Sequence, residues 1–146
     1  MIYFKYRGEP VGKGRPRVTA RGGKFAHAYT PKKTKDFEDA IRFEFLASTC
    51  ETMPIYPKDV PLKVDMVFAF EVPKSYSKKK RQACLNGTIQ HTKKPDADNI
   101  AKAVLDSISN GYAMDDDSQV VVLTMEKIYA EESYVEVRLY PRDWGE

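Results

Sequence analysis

Two periods of hydrophobic and polar positions run along this chain, and the switches between them mark its elements. A first strand is read in the stretch Ile2 to Val11, ending at the Gly8-Glu9-Pro10 punctuation. Gly22-Gly23, between Val18-Thr19-Ala20-Arg21 and Lys24-Phe25-Ala26, marks a hairpin turn. Tyr29-Thr30-Pro31 opens a helix, with Thr30 as N-cap and Pro31 as the first helical residue. Its buried side is read as Phe37, Ala40, Ile41, Phe45 and Ser48, to about Thr49. After a looser stretch with Pro54, Pro57 and Pro61, Leu62, Val64, Met66, Phe68 and Phe70 alternate with Lys63, Asp65, Val67, Ala69 and Glu71, the signature of a half-buried strand. Ser77 starts a short helix from Lys78 to Leu85, stopped by Asn86-Gly87. Gln119 to Tyr129 is apolar enough on both faces for an interior strand. Tyr134 to Tyr140 alternates as its hairpin partner across Glu131-Glu132-Ser133.

The strongest helical signal lies between. From Ala97 to Ile108 the apolar residues Ala97, Ile100, Ala101, Val104, Leu105 and Ile108 form one stripe, and Asn110-Gly111 is the stop. Asp98, Lys102 and Asp106, four apart, stack on the opposite side. Pro95 disfavours helical geometry at Lys94, so the chain arrives extended and Asp96 and Asp98 can point the same way. The helix is ~18 Å long at about 1.5 Å per residue. The segment from Asn110 to Asp117 spans up to ~26 Å at about 3.3 Å each. Asp116 and Asp117 can therefore return to the helix start. The order β, hairpin, α, β, α, α, β, β predicts a single domain over residues 1–146 of the α/β (α+β) type, a mixed sheet with helices packed against it.

Composition changes the picture only when it is divided. The 146 residues carry a net charge of +3, but its signs are segregated. Lys5, Arg7, Lys13, Arg15, Arg17, Arg21, Lys24, Lys32, Lys33 and Lys35 stand against Glu9 in the first 35 residues; Lys74, Lys78, Lys79, Lys80, Arg81, Lys93 and Lys94 stand against no acid between 74 and 94. Asp96, Asp98, Asp106, Asp115, Asp116 and Asp117 then face Lys102 alone. Two basic blocks and one acidic block suggest a polyanion gripped by the basic two and processed at the acidic one. The loop Gly12-Lys13-Gly14-Arg15-Pro16-Arg17 reads as a flexible phosphate-facing element. A hydrophobic content of 42% without a long apolar run argues for a soluble globular chain. The amino terminus lacks a signal peptide's apolar core. Cys50 and Cys84 form no disulfide or zinc pattern, and His27 and His91 have no metal-ligand spacing, so a reducing cytoplasm and no organic cofactor are expected.

Clustered carboxylates are hard ligands for Mg2+ or Mn2+, and such an ion near a phosphodiester promotes in-line displacement. A neighbouring lysine neutralises transition-state charge. Asp96, Asp98, Asp117 and Lys102 fit that chemistry. The plain reading makes Asp96 or Asp98 an N-cap, Asp98–Lys102–Asp106 solvated pairs, and the Asp115–Asp117 run an acidic turn. The run is not an EF-hand, because the sixth-position Gly and twelfth-position Glu are missing.

The combination Lys94-Pro95-Asp96-x-Asp98-Asn99-x-x-Lys102-x-x-x-Asp106, with Asp116-Asp117-x-Gln119-Val120 downstream, resembles the RusA family of Holliday junction resolvases, and Gly14-Arg15-Pro16-Arg17 resembles the family's basic loop. The resemblance implies a small dimeric endonuclease of phage or prophage type that nicks four-way junction DNA symmetrically with Mg2+ or Mn2+ in recombination and repair. It implies Asp96, Asp98 and Asp117 as metal-binding catalytic aspartates and Lys102 as the catalytic lysine. Asp116, which the resemblance adds as a further metal ligand, and Gln119 match the Asp-Asp-x-Gln signature, whereas Asp115 makes a run of three where a pair is expected. Lys13, Arg15 and Arg17, with Lys78, Lys79, Lys80 and Arg81 and with Lys93 and Lys94, are expected to hold DNA. Two other functions fit parts of the pattern: a junction- or duplex-binding module without catalysis, and an Asp-x-Asp nucleotide transferase. The latter lacks a Gly-rich phosphate loop opening a helix.

Overall fold

The computed structural model describes the backbone of residues 1–14, 17–21, 25–29 and 31–142, and the side chains of residues 1–14 and 31–142. Strands β1 (Ile2–Arg7), β4 (Leu62–Glu71), β5 (Val120–Ala130) and β6 (Tyr134–Pro141) form a mixed sheet in the order β1–β6–β4–β5. β2 (Arg17–Arg21) and β3 (Phe25–Tyr29) pair as a separate antiparallel hairpin, with the Gly22-Gly23 turn outside the described residues. Helices α1 (Lys32–Ala47), α2 (Lys78–Leu85) and α3 (Ala97–Ile108) complete the fold.

Cross-strand rows explain where the core lies. Ile2, Leu139 and Val64 stand opposite one another across three strands, followed by Phe4, Val137 and Met66. These residues are buried with Phe37, Ile41 and Phe45 of α1 and Ile100, Val104 and Ile108 of α3 in one hydrophobic cluster. The alternate row Tyr3, Arg138, Asp65 and Thr124 is polar, and Asp65 accepts from Thr124 and Tyr140 hydroxyls there. Each large apolar side chain sealed in the cluster stabilises the fold by about 1.5–3 kcal/mol.

Several expectations are corrected. β5 and β6 do not pair; β4 lies between them, parallel to β5 and antiparallel to β6. The chain from Ala130 to Tyr134 reaches ~13 Å, enough to step over one strand at about 4.8 Å per strand spacing. Glu71 at the end of β4 donates its N–H to Ser133 Oγ of that connection (2.9 Å). β5 is consequently an outer strand of this sheet, with Val121 52% exposed, and β4 takes the interior place. β1 ends at Arg7, because Gly8 N–H turns to the Ser133 carbonyl. Pro31 is the N-cap of α1 rather than its first helical residue, Thr30 lies outside the described residues, and the helix ends at Ala47. Ser48 is exposed past that end, bonding back to the Phe45 carbonyl, and Thr34 is buried in its place.

Candidate functional site

The span of α3 is the one its periodicity predicts. Its buried side is wider than one stripe, since Ala103 and Ser107 are also sealed; Arg42 of α1 donates to the Ser107 carbonyl (2.9 Å), so α1 covers that flank. Only Asp98, Asn99, Lys102 and Asp106 among the polar residues retain access to solvent. Asp96 occupies the N-cap position, yet its carboxylate accepts no hydrogen bond from the helix. It faces Lys94 Nζ instead (3.2 Å). Asp98 is exposed and has no hydrogen-bond or ion-pair partner among the described residues. The capping explanation for these two aspartates therefore has no geometric support.

The return of the acidic turn to α3 rests on left-handed backbone at Asn110 (φ 61°) and Gly111 (φ 96°). Gly is suited to such a φ, and Asn adopts it more readily than other residues. Beyond them Asp116 caps a 3-10 turn, Asp117–Gln119, by accepting from Ser118 N–H (3.3 Å). That backbone donor, followed by the neighbouring Asp117, holds the Asp116 carboxyl below its ordinary range. Asp115 accepts from Lys58 N–H (2.9 Å). Buried Gln119 accepts from the N–H groups of Asp115 and Asp116 and donates to the carbonyls of Tyr56, Pro57 and Val60. Two of the three consecutive acids are thus tied to backbone, and Asp117 alone turns to α3, where Lys102 Nζ meets it at 3.2 Å.

Lys102 also pairs with Asp106 (3.1 Å), and Asp106 with Lys13 (3.0 Å), which in turn meets Glu38 of α1 (2.6 Å). Hydrogen bonds from Asp106, then Asp117, raise the Lys102 ammonium above its ordinary range. Burial opposes the charge of Lys13, but Glu38 and Asp106 outweigh it and raise its pKa as well. Lys13, expected to face phosphate, points inward. The described start of its loop is tied down: Lys13 N–H bonds the Asn99 carbonyl (2.9 Å) and Gly14 N–H bonds Thr34 Oγ1 (3.0 Å), whereas Arg15 and Pro16 lie outside the described residues. A Cβ on Gly12 would stand 3.0 Å from Pro95 Cβ, and one on Gly14 would stand 2.7 Å from Pro31 Cγ. The glycines permit close approach to the chain's own helix starts.

Lys13, Lys94, Asp96 and Asn99 line one groove of about 560 Å3. Basic side chains continue from it: exposed Lys93 donates to Tyr76 Oη (3.0 Å), Lys80 stands 3.9 Å over the Tyr76 ring, and Lys78 and Lys79 are exposed on α2, with Arg81 half-buried. Arg15 lies outside the described residues, and only the β2 backbone of Arg17 lies within them. Sequence reasoning missed Lys127 of β5. Its ammonium donates to the carbonyls of Lys93 (2.6 Å) and Pro95 (2.9 Å), clamping the segment that carries Asp96. Burial, against the attraction of Asp96, lowers its pKa. The signal that could have found it is a single basic residue in β5, a strand otherwise apolar but for Thr124 and Glu126.

The exposed carboxylates are hard oxygen donors of the kind Mg2+ and Mn2+ prefer, and Mg2+ needs only one or two of them beside water. Asp96 and Asp98 are exposed donors of that type; the cationic neighbour of Asp96, Lys94, is 86% exposed. No group of three His, Cys, Asp or Glu among the described residues is placed to hold an ion between them.

The described residues thus form an α+β domain in which exposed Asp96 and Asp98 lie at the start of α3, Lys102 is paired with Asp106 and Asp117, and a row of lysines flanks them. The chain belongs to the RusA endodeoxyribonuclease family, whose model matches residues 7–140. It is 39% identical over 138 residues, 94% of each chain, to a protein of Bacillus subtilis (strain 168) described as uncharacterized protein YqaN. Family membership makes it a DNA-binding endonuclease and hydrolase of the Holliday junction resolvase group, acting on branched DNA in recombination. Nucleases of this family are generally dependent on a divalent metal. No helix among the described residues is long and apolar enough to cross a membrane.

Proposed function

We propose that the chain works as a cytoplasmic homodimer, without an organic cofactor, that makes paired symmetric nicks in a four-way junction at Asp96, Asp98, Asp117 and Lys102. The observation carrying this reading is the placement of Lys102 Nζ at 3.2 Å from Asp117 and 3.1 Å from Asp106, with Asp98 one turn earlier on the same helix. A two-fold dimer suits a two-fold substrate. Asp96 and Asp98 would take Mg2+ or Mn2+ first, and Asp117, which Lys102 holds at 3.2 Å, would have to swing toward them to complete the set; Asp116 is secondary because its carboxylate caps the 3-10 turn. When bound, such an ion supplies an acidified water and offsets charge at the phosphodiester.

The protein's own contributions follow from its contacts. Lys102, kept protonated and aimed by two carboxylates, stabilises charge on the phosphate. Lys127 holds Asp96 in position through the Lys93 and Pro95 carbonyls. Lys93, Lys94 and Lys78 to Arg81, with Arg15 and Arg17, bind the DNA backbone.

The test is cleavage of a labelled four-way junction and its matched duplex in Mg2+, Mn2+ or EDTA, alongside Asp98→Asn. Paired nicks in the junction alone are expected, falling by roughly 100-fold or more in EDTA or the variant. The variant should bind the junction as tightly as wild type or more tightly, since it removes negative charge near phosphate. Binding without nicks in any metal would reduce the protein to a junction-binding module. Wild-type cleavage by Asp98→Asn would refute the site.

A further inference from the structure

A second cavity, of about 630 Å3, opens beside the groove that contains Asp96 and shares Glu9 and Lys94 with it. It lies at the carboxyl ends of β1, β4 and β5, the three strands that run in the same direction. Ligand sites of open α/β sheets concentrate at such strand ends. Its wall is aromatic. The His91 imidazole stacks on Phe70 at 3.8 Å between centroids and 11° between planes, and Tyr129 meets the imidazole edge-on at 5.1 Å and 66°. Phe70 covers one face of the imidazole, and all three rings line the cavity.

This wall is held in place. Phe70 is buried, and Lys93 at the cavity's rim is anchored to Tyr76 Oη (3.0 Å). The charges around it alternate, with Arg7, Lys93 and Lys94 against Glu9, Glu71 and Glu132. Three carboxylates beside the cations disfavour a bare phosphate, which they would repel. Paired donors and acceptors around a π surface match the edge and face of a nucleobase. Burial, then Lys127 and Lys93, hold His91 below its ordinary range, so a neutral ring is offered for stacking.

We propose that this cavity seats one unpaired nucleobase of the DNA substrate, stacked on His91 against Phe70 and Tyr129, next to the groove that contains Asp96. The proposal rests on the endonuclease reading, because its ligand belongs to the same branched DNA. Only a base outside the duplex stack reaches such a wall, and leaving the stack costs least where pairing is already broken. The cavity thus selects for branch points over continuous duplex.

The test is a binding cycle without divalent metal, so that no strand is cut. Four-way junctions carry an abasic residue at each of the two nucleotides on either side of the crossover in turn, and wild type is compared with His91→Ala and His91→Phe. At one position the abasic change should weaken wild-type binding by roughly 5- to 100-fold, the range of base–aromatic stacking. His91→Ala should lose a similar factor on the intact junction and nothing further on that abasic one, while His91→Phe should retain most of the affinity. A misfolded variant would lose both substrates together and is thereby told apart; the wild-type arm then decides. Equal wild-type binding to every abasic junction, or losses that multiply, would overturn the base site while leaving the endonuclease standing. Failure of wild type to bind any branched DNA would overturn both.

Discussion

At the scale of single residues, the acidic site is organised by side chains that do not themselves face the substrate. Lys127 is the clearest. Its two hydrogen bonds cross more than thirty residues of sequence to fix the backbone on either side of Lys94. Lys127→Met should leave junction affinity nearly unchanged and lower kcat by about 10- to 100-fold, the range for slight misplacement of a catalytic group. Single-turnover cleavage at saturating DNA checks this, and an equal loss in binding would count against a positioning role. Gln119 acts similarly on the backbone of Asp115 and Asp116, just ahead of Asp117. Gln119→Leu removes the donor to three carbonyls and the acceptor of two N–H groups. The expected cost is about 2–3 kcal/mol, read as a fall in Tm of several degrees, together with slower cleavage.

At the scale of elements, α3 couples core and site. One side of it is sealed against α1 and the sheet, and that burial holds Asp98, Lys102 and Asp106 in register on the other. Ile100 is fully buried between the two acids of the Asp-x-Asp and Lys102. Ile100→Ala should destabilise the fold by about 2–5 kcal/mol, measured by denaturant unfolding. The N-terminal loop is the second brace, bonded to α3 through Asn99 and to α1 through Thr34. Its closeness depends on glycine at positions 12 and 14, where any Cβ meets another residue.

At the scale of the whole molecule, the cations and carboxylates are segregated so that the basic row from α2 to Lys94 ends at Asp96. Charges of this kind act through counterion release. Lys79→Ala with Arg81→Ala should weaken junction binding and lower the slope of log K against log salt by about one for each lost phosphate contact. An unchanged slope would remove α2 from the DNA-binding surface.

Local rules determined much of this protein before any tertiary contact was known. Ala97–Ile108 was legible because seven-residue periodicity, a preceding proline and an Asn-Gly stop all agree, and Lys78–Leu85 because Ser77 and Asn86-Gly87 bracket it. The candidate aspartates and Lys102 were legible as types at a spacing. Strand order was not: β5 and β6 are neighbours in sequence, and nothing in a period of two says that the more deeply buried β4 will take the place between them. Nor could spacing divide Asp115, Asp116 and Asp117 among a loop anchor, a cap and a partner for Lys102, or turn Lys13 inward to Asp106 and Glu38. Local patterns specify which face of an element is apolar, whereas pairing between distant charges depends on where the packed elements bring their ends.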